Sequence, residues 1–307
     1  MNIWIILTAA AVILLLIFGI YFYYEDRHFV VTSYTISSSM VPDDKKVRKA
    51  VLLADLHNHV YGKENEELFA AIRAQNPDVI LIAGDMTVAH QGLTLKEAQK
   101  VLCKLAAEYP VYFANGNHEQ KFELYPEKYG NYYGEFCKNI EKAGVHHLVN
   151  KQEYTDIKGF PICIGGLEIE RKFFGRMKKH EMDGAYIEEK IGKKKKEIYH
   201  ILLAHNPVFF KAYREWGADL TLSGHLHGGI VSLPFLGGVV SPQLIPFPKY
   251  DAGMFEEEGR NMVVSRGLGT HTLPVRLFNH AELIVLYFEP ASATHDEKRE
   301  ELRSHAL

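Results

Sequence analysis

The chain has 307 residues, a formal net charge of −3 and a composition that is 47% hydrophobic and 24% charged. This composition is that of an ordinary globular protein with a sizeable core, and the negative net charge disfavours a general nucleic-acid binder, which is usually basic. The three cysteines, Cys103, Cys137 and Cys163, are interpreted as buried thiols rather than as disulfide partners or metal ligands. The 16 histidines are the one feature of the composition that suggests chemistry.

The first predicted element is an apolar helix. Residues Ile3 to Tyr24 carry no charge, and a helix of that length rises roughly 33 Å at about 1.5 Å per residue, enough to cross the hydrocarbon core of a membrane. Trp4 lies at one end of this run and Tyr21 to Tyr24 at the other, as expected of aromatic residues at the two interfaces. We therefore predict a transmembrane anchor over residues 1–24. The alternative, a cleaved signal peptide, is disfavoured because no basic residue precedes the run and no small-x-small site follows it.

The basic residues near this helix lie on its C-terminal side, at Arg27 and then between Lys45 and Lys49. By the positive-inside rule this asymmetry favours a cytoplasmic location for the rest of the chain, and the free cysteines favour the same compartment. Only Glu25 to His28 separate the helix from the first predicted strand. We expect a single-pass membrane protein whose domain lies against the bilayer.

The first half of the domain alternates between strands and helices. Strands are predicted at Phe29–Ser37, Ala50–Ala54, Asp78–Ala83 and Val111–Ala114. Asn65 is expected to cap a helix whose inner face carries Leu68, Phe69 and Ile72, and a second helix is predicted over Leu95–Glu108 with Ala98, Val101, Leu102 and Leu105 inward. This order implies parallel strands joined by right-handed crossovers.

Shorter strands follow each other more closely after residue 145. They are predicted at His146–Val149, Gln152–Ile157, Pro161–Ile164, Ile198–Ala204, Asp219–Leu222, Met262–Ser265 and Leu283–Phe288. The sequence therefore predicts an α/β domain over residues 25–291, with two packed sheets and helices outside. Residues 292–307 are charged and lack an apolar stripe, so we expect a loose tail.

Polar motifs follow five of the predicted strands where the chain leaves the core. They are Asp55-Leu56-His57, Gly84-Asp85, Gly116-Asn117-His118-Glu119, His205-Asn206 and Gly224-His225-Leu226-His227. Because ligands of open α/β sheets bind beyond the carboxyl ends of the strands, these motifs are expected to meet at one edge. Each motif alone is commonly a turn or a chance occurrence, and it is the ordered set of five that indicates a site.

This ordered set resembles the pattern of the calcineurin-like metallophosphoesterases, which is D-x-H, G-D, G-N-H-[DE], H and G-H-x-H. The chain carries DLH, GD, GNHE, AH and GHLH, and the resemblance runs from about Ala50 to Glu289. It implies a four-layer αββα sandwich that hydrolyses a phosphodiester or pyrophosphate with two divalent metal ions.

The resemblance also implies a role for each motif residue. One metal ion would be held by Asp55, His57, Asp85 and His227, and the second by Asp85, Asn117, His205 and His225. Asp85 would hold both ions and is therefore counted as catalytic together with His118, which would stabilise the transition state or protonate the leaving oxygen. A hydrogen bond from His118 to Asp85 is a structural alternative that is compatible with this role. Mixed imidazole and oxygen ligands suit Mn, Fe or Zn better than Mg or Ca, and we expect Mn first.

Other histidines and one glutamate near the motifs are given structural roles. His59 is expected to be a loop residue, Glu119 a structural residue, and His146 and His147 strand residues that hold no metal.

A finer resemblance concerns the substrate. The segments DLHN, AHNP, GHLHGG and SRGLG…LPVR are similar to the membrane-associated branch of the superfamily, which includes UDP-2,3-diacylglucosamine hydrolases. Those enzymes cut a pyrophosphate in a lipid-linked nucleotide. Arg266 and Arg276 occupy basic positions of that branch and would serve either a bidentate phosphate contact or a structural salt bridge. Ile230 and the segment Asn279 to Leu283 depart from the branch, which weakens the transfer of a substrate.

Two further segments bear on a lipid substrate. Residues 167–197 form a basic insert, with ten Lys or Arg against four Asp or Glu between Arg171 and Lys196. It is either a solvated loop or a cap that meets anionic headgroups, with Phe173 and Phe174 dipping into the interface. The apolar residues 231–247 either wall an acyl-chain groove or pack in the core.

The sequence thus predicts a membrane-anchored, two-metal phosphodiesterase or pyrophosphatase whose partners are membrane lipids and a lipid-linked phosphoester. A hydrolase of soluble nucleotides or cell-envelope phosphoesters is the alternative enzyme. A catalytically silent scaffold is the alternative from another class, and it is disfavoured because no ligand of the motif set is missing.

Overall fold

The computed structural model describes residues 3–175, 180–229, 231–233, 237–240, 247–270 and 276–291. Helices are α1 (Ile3–Glu25), α2 (Glu66–Gln75), α3 (Lys96–Ala106), α4 (Asn117–Leu124), α5 (Pro126–Tyr129), α6 (Tyr133–Lys142), α7 (Gly184–Ile191) and α8 (Phe210–Trp216). Strands are β1 (Phe29–Ser38), β2 (Arg48–Leu53), β3 (Val79–Ile82), β4 (Val111–Phe113), β5 (Val145–His147), β6 (Lys151–Ile157), β7 (Phe160–Leu167), β8 (Tyr199–Ala204), β9 (Leu220–Ser223), β10 (Val231–Leu233), β11 (Gly237–Val240), β12 (Gly253–Glu257), β13 (Arg260–Val264) and β14 (Ala281–Pro290).

The strands form two six-stranded sheets and one small hairpin. The first sheet has the order β1-β14-β2-β3-β4-β5, the second has the order β12-β13-β9-β8-β7-β6, and β10 pairs with β11. Strands β2 to β5 run parallel, as the alternation of strands and helices predicts. In the second sheet β7, β8, β9 and β13 are also parallel.

Three apolar cores separate four layers. The first packs α2, α3 and α6 on the outer face of the first sheet, and residues such as Leu68, Leu102 and Ile140 are fully buried there. The second core fills the space between the sheets, and the third packs α7 and α8 against the second sheet. The predicted four-layer αββα sandwich is confirmed.

One edge of the sandwich collects the ends of the parallel strands, and we refer to the edge at which β2, β3, β4, β8 and β9 end as the carboxyl edge. Strand β14 is antiparallel to β2, and β1 is parallel to β14. Both of these strands therefore begin at the carboxyl edge, although they belong to opposite ends of the chain.

Helix α1 meets the domain at this same edge, because only three residues lie between the end of α1 and the start of β1. Its last residue, Glu25, is 3% exposed, and Oε2 of Glu25 lies 2.8 Å from Nδ1 of His280. The hydroxyl of Tyr21 accepts the backbone N–H of Phe278 at 3.0 Å. Helix α1 is long and apolar enough to cross a membrane, a property that a signal sequence shares.

Some local predictions differ from the structure. Asn65 precedes α2 but adopts φ 63° and makes no side-chain cap, because its Oδ1 accepts the backbone N–H of Tyr61 instead. The inner face of α2 is as predicted. Helices α4 to α8 and strands β10, β11 and β12 were not predicted. The predicted tail, residues 292–307, lies outside the described residues.

Candidate metal centre

Three overlapping groups of histidine and aspartate side chains lie at the carboxyl edge. Within each group the candidate ligand atoms lie within 4.8 Å of one another. The groups are Asp55 with His57 and His227, His57 with Asp85 and His118, and Asp85 with His205 and His225. The loops after β2, β3, β8 and β9 and the start of α4 therefore bring the aspartates and histidines of the predicted metal site into one cluster.

Each of the two aspartates is held by a backbone N–H through one oxygen and faces imidazoles through the other. Oδ2 of Asp55 accepts the N–H of His225 at 2.9 Å, and Oδ1 of Asp85 accepts the N–H of His118 at 2.8 Å. Oδ1 of Asp55 is then 3.6, 3.8 and 3.5 Å from Nε2 of His57, His205 and His227. Oδ2 of Asp85 is 4.0, 3.9 and 3.1 Å from Nε2 of His57, His118 and His205.

The polar atoms of this cluster fit divalent cations. Three buried atoms make no hydrogen bond with the described residues: Oδ1 of Asp55, Oδ1 of Asn117 and Nε2 of His205. Nε2 of His57 and Nε2 of His227 face each other at 3.1 Å. Buried polar atoms that make no hydrogen bond, such as the two oxygens, destabilise a fold unless a ligand satisfies them. Imidazole nitrogens with carboxylate and amide oxygens are a donor set for Mn, Fe or Zn.

Backbone contacts fix which ring nitrogen of each histidine faces the cluster. Nδ1 of His57 lies 3.2 Å from the carbonyl of Thr87, and Nδ1 of His205 lies 2.7 Å from the carbonyl of Ala83. A carbonyl can only accept, so Nδ1 of each ring carries a proton, and Nε2 is the nitrogen that is directed to the centre.

His118 has the opposite arrangement. Its Nδ1 accepts the backbone N–H of Ala89 at 2.8 Å, so the ring proton of the neutral imidazole is on Nε2, the atom that faces Asp85. His118 is therefore arranged to donate a hydrogen bond at the centre, whereas a metal ligand would need a lone pair on Nε2.

The charges of the cluster depend on one another. Burial and the neighbouring Asp85 carboxylate raise the pKa of Asp55 to about 7. Burial opposes protonation of His205, but the carboxylates of Asp85 and Asp55 outweigh it and raise the pKa of His205 to about 10. Burial also acts to raise the pKa of Asp85, yet the imidazoles of His205 and His118 hold that pKa well below its usual range. The cluster thus buries the negative charge of Asp85 together with the positive charge of His205. Divalent cations bound here would take the place of that positive charge.

The backbone of the motifs is strained at several residues, and the sequence does not reveal this strain. Asp55, His57, Asp85, His225 and His227 have φ values of 52°, 51°, 54°, 73° and 53°, a region that residues other than glycine rarely adopt. Such conformations cluster at functional sites because the surrounding structure must enforce them. A Cβ atom at Gly116 would collide with the carboxylate of Asp85, and one at Gly224 with that of Asp55. This explains the glycine at the start of the GNHE and GHLH motifs.

The carboxylate of Glu119 stabilises the backbone that carries the candidate metal ligands. Its Oε2 accepts the N–H groups of Asp85 and Gly116, both at 2.9 Å. Its Oε1 accepts those of Met86 at 2.8 Å and Thr87 at 3.2 Å. One carboxylate thereby joins the loop after β3 to the start of α4, which confirms the structural role expected of Glu119.

Three other histidines near the motifs, His59, His146 and His147, lie outside the cluster. His59 lies near the end of α1, with Nδ1 4.0 Å from Oδ1 of Asp26. His146 stacks on Tyr112 and lies 2.6 Å from Oε2 of Glu153. Nε2 of His147 lies 2.9 Å from Oδ1 of Asn115. The prediction that His146 and His147 are not metal ligands agrees with these contacts.

The two arginines of the SRG and PVR segments are structural. Arg266 pairs with Glu282, with 3.1 Å between Nη1 and Oε2. Arg276 is 5% exposed and donates to the carbonyls of Arg266, Gly267, Gly269 and Asn279. Asn279, at a position where the sequence departs from the membrane-associated branch, donates to the carbonyls of His227 and Gly229. It therefore fixes the loop that carries the GHLH motif.

The basic insert divides between the two edges of the second sheet. Phe173 and Phe174 follow β7 at the carboxyl edge, and the ring of Phe174 packs on that of His225 with centroids 5.3 Å apart. Lys193 to Lys196 directly precede β8 and so lie at the opposite edge. There Lys194 forms an ion pair with Asp219. Only the first part of the insert is therefore near the centre, and residues 176–179 lie outside the described residues.

Sequence reasoning did not single out Lys121 or Arg171 as site residues. Arg171 donates through Nη1 to the carbonyl of Asn117 at 3.4 Å, and Lys121 lies one turn after Asn117 on α4. The position of Arg171 at the start of the basic insert was the available signal. For residues 231–247, the predicted acyl-chain groove falls largely on side chains outside the described residues.

Comparison with known proteins agrees with this fold and cluster. Residues 48–229, more than half of the chain, match the model of the calcineurin-like phosphoesterase family. The chain belongs to this family and is a phosphoester hydrolase.

Three relatives illustrate the family. The chain is 27% identical to the metallophosphoesterase YkuE of Bacillus subtilis over 83% of both proteins. It is 27% identical to the phosphodiesterase YaeI of Escherichia coli, over 72% of this chain and 75% of that protein. It is 25% identical to a zebrafish protein named as a transmembrane protein with metallophosphoesterase domain, over 85% of this chain but only 57% of that protein.

Proposed function

We propose that this protein is a membrane-anchored phosphodiesterase or pyrophosphatase that acts on a lipid-linked phosphoester with the help of two divalent metal ions. The observation that carries the proposal is the position of Oδ2 of Asp85, which lies within 4.0 Å of Nε2 of His57 and 3.1 Å of Nε2 of His205. One carboxylate oxygen is thereby within reach of ligands from both halves of the cluster.

In this proposal Asp85 binds both ions. Asp55, His57 and His227 complete the first site, and Asn117, His205 and His225 complete the second. Two ions held by these residues would neutralise phosphoryl oxygens and lower the pKa of a water that attacks phosphorus, with Mn the first candidate. The orphaned amide oxygen of Asn117 supports its inclusion among the ligands.

His118 serves as a hydrogen-bond donor in this proposal. Its Nδ1 accepts the N–H of Ala89, so the proton of its neutral ring is on Nε2. The ring is 3% exposed and lies beside the shared carboxylate of Asp85. We propose that the Nε2–H of His118 donates a hydrogen bond to the phosphoryl group and stabilises the negative charge that develops there in the transition state.

The entry of α1 at the carboxyl edge supports a membrane-proximal substrate. Residues 1–24 would be the anchor, residues 25–291 the catalytic domain and residues 292–307 a tail. Because only three residues lie between α1 and β1, and β1 begins at the carboxyl edge, a bilayer around α1 would face the metal centre. A lipid-linked pyrophosphate of the UDP-2,3-diacylglucosamine type would then reach the centre without leaving the membrane. The cytoplasmic side is proposed from the basic residues that follow α1.

Substitution of the metal ligands tests the reaction. Asp85→Asn and His225→Ala should each lower hydrolysis of bis(4-nitrophenyl) phosphate with Mn by at least about a hundredfold, since each removes a ligand from the centre. His146→Gln is the matched control, because it removes an imidazole that lies outside the cluster. Unchanged hydrolysis in both ligand variants would refute the two-metal mechanism.

A comparison of substrates tests the lipid. Full-length protein in detergent should turn over a lipid-linked pyrophosphate faster than the soluble nucleotide diphosphate with the same phosphate linkage. Equal or faster turnover of the soluble compound would favour the alternative enzyme, a hydrolase of soluble or cell-envelope phosphoesters.

A further inference from the structure

We infer that Arg171 and Lys121 form a subsite for a second anionic group beside the scissile phosphorus, so that the centre selects a pyrophosphate over a simple phosphodiester. This inference rests on the proposed function of the metal centre and narrows its substrate class.

Arg171 is held at the rim of the centre by two contacts. Its Nη1 donates to the carbonyl of Asn117 at 3.4 Å, and its guanidinium lies over the ring of Phe174, 5.3 Å from the centroid. The same ring of Phe174 packs edge-on against His225. Arg171 is thus tied to one proposed metal ligand through the backbone and to another through an aromatic ring.

Lys121 approaches the same place from α4. It lies four residues after Asn117, so the two side chains project from the same face of the helix. Lys121 is half-buried. Burial lowers the pKa of Lys121, the nearby Asp85 opposes that effect, and the Arg171 guanidinium adds to it. The two cations are therefore close enough to repel each other.

In the part of the chain that the structure describes, neither cation has a carboxylate partner. Among the described residues, no carboxylate lies within 4.0 Å of the charged nitrogens of Arg171 or Lys121. Neighbouring basic residues of the insert are neutralised, for example Lys172 and Lys190 by Glu170 and Lys194 by Asp219. Two half-buried like charges without a counterion are unfavourable, and an anion between them would remove the repulsion.

The phosphate chemistry of the proposed substrate supplies such an anion. Hydrolysis of a pyrophosphate diester adds water across the P–O–P linkage: the attacked phosphorus gains the hydroxyl oxygen, and the other phosphoryl group leaves with the bridging oxygen and accepts a proton. The second phosphoryl group carries negative charge throughout, and a planar guanidinium with an ammonium group suits its oxygens. A simple phosphodiester has no group to occupy this position.

Two esters that differ by one phosphoryl group test the subsite. They are the 4-nitrophenyl esters of thymidine 5′-monophosphate and thymidine 5′-diphosphate, incubated with full-length protein in detergent. The products are separated by chromatography, because cleavage of the P–O–P linkage gives 4-nitrophenyl phosphate and not 4-nitrophenol. Arg171→Gln should lower the ratio of kcat/KM for the diphosphate ester to that for the monophosphate ester by about 10- to 100-fold, the worth of a lost charged hydrogen-bond pair. Lys121→Gln should also lower this ratio. Arg171→Lys keeps the positive charge and should lower the ratio less than Arg171→Gln does. Lys172→Gln, next in sequence but exposed and paired with Glu170, is the matched control and should leave the ratio unchanged.

A binding measurement keeps the subsite separate from the reaction. By calorimetry, wild-type protein should bind methylenediphosphonate more tightly than methylphosphonate, and Arg171→Gln should lose most of this preference. Equal ratios and equal preferences in wild type and Arg171→Gln would overturn the subsite. Failure of the wild type to hydrolyse either ester, or full activity of Asp85→Asn on both, would instead refute the proposed function.

Discussion

The backbone N–H of His118 donates to Oδ1 of Asp85 at 2.8 Å, and this bond determines which oxygen of Asp85 faces the centre. Oδ2 then lies 3.1 Å from Nε2 of His205 and 3.9 Å from Nε2 of His118. One bond at the start of α4 therefore positions both the carboxylate that we propose binds both ions and the imidazole beside it.

Glu119 should be essential for the stability of this arrangement. Both of its oxygens accept two backbone N–H groups, so in Glu119→Gln the amide nitrogen leaves two buried donors without an acceptor, whichever way it is oriented. We expect the free energy of unfolding to fall by about 2–4 kcal/mol, measured by urea denaturation. Glu127→Gln, an exposed site on α5, should change it by less than about 0.5 kcal/mol. Equal stability of the two variants would contradict the role of Glu119.

His147 should make the fold sensitive to acid. Burial, with repulsion from Lys151, lowers the pKa of His147 to about 4. Between pH 6.5 and 4 the unfolded chain therefore takes up a proton that the folded chain does not, and stability falls as the pH falls. The shifted pKa of His147 should lower the free energy of unfolding by about 3 kcal/mol in total, at about 1.36 kcal/mol per pKa unit.

The test compares wild type with His147→Gln in urea titrations at several pH values from 7.5 to 4. The difference in unfolding free energy between the two proteins should change across this range in favour of the variant. His200, whose pKa burial and Lys194 also lower to about 4, contributes equally to both proteins and cancels. A constant difference would show that His147 does not titrate as expected.

The planar guanidinium of Arg276 should stabilise the segment between β13 and β14. It donates to four backbone carbonyls, and a lysine, with its donors on one nitrogen, cannot reach them all. Arg276→Lys should therefore lower the unfolding free energy by about 2–4 kcal/mol in denaturant titrations. Arg73→Lys is the control, since Arg73 forms an exposed pair with Glu108 and should cost at most about 1 kcal/mol. Similar losses in both variants would contradict this role.

The N-terminal helix should remain in the mature protein. After alkaline carbonate extraction we expect the full chain in the membrane pellet, and intact-mass measurement should find residues 1–24 still attached. A mature chain that starts after this segment would identify a signal sequence, and the membrane-proximal substrate would lose its support.

Much of the fold and centre could be predicted from the sequence because both follow from regular patterns. The buried strands are continuous apolar runs, and the ordered motifs predicted the cluster of Asp55, Asp85 and His225. Asn65 shows the limit, since its side chain bonds to Tyr61 although its position is that of a helix cap. Local propensity cannot reveal which of two backbone partners a tertiary structure offers.

The residues that the sequence did not reveal act through contacts between distant segments. Arg276 reaches carbonyls that converge only in the folded chain, and Arg171 meets Asn117 across 54 positions. The sequence also did not reveal that the basic insert is divided between the two edges of the second sheet. The number of charged residues does not show that the chain reverses direction along α7.

Metal content provides the most direct test of the shared carboxylate. Wild-type protein, loaded with Mn and passed through gel filtration, should retain about two ions per chain by elemental analysis. Asp85→Asn should retain at most about one, while His146→Gln should match the wild type. Two ions in Asp85→Asn, or none in the wild type, would contradict the account.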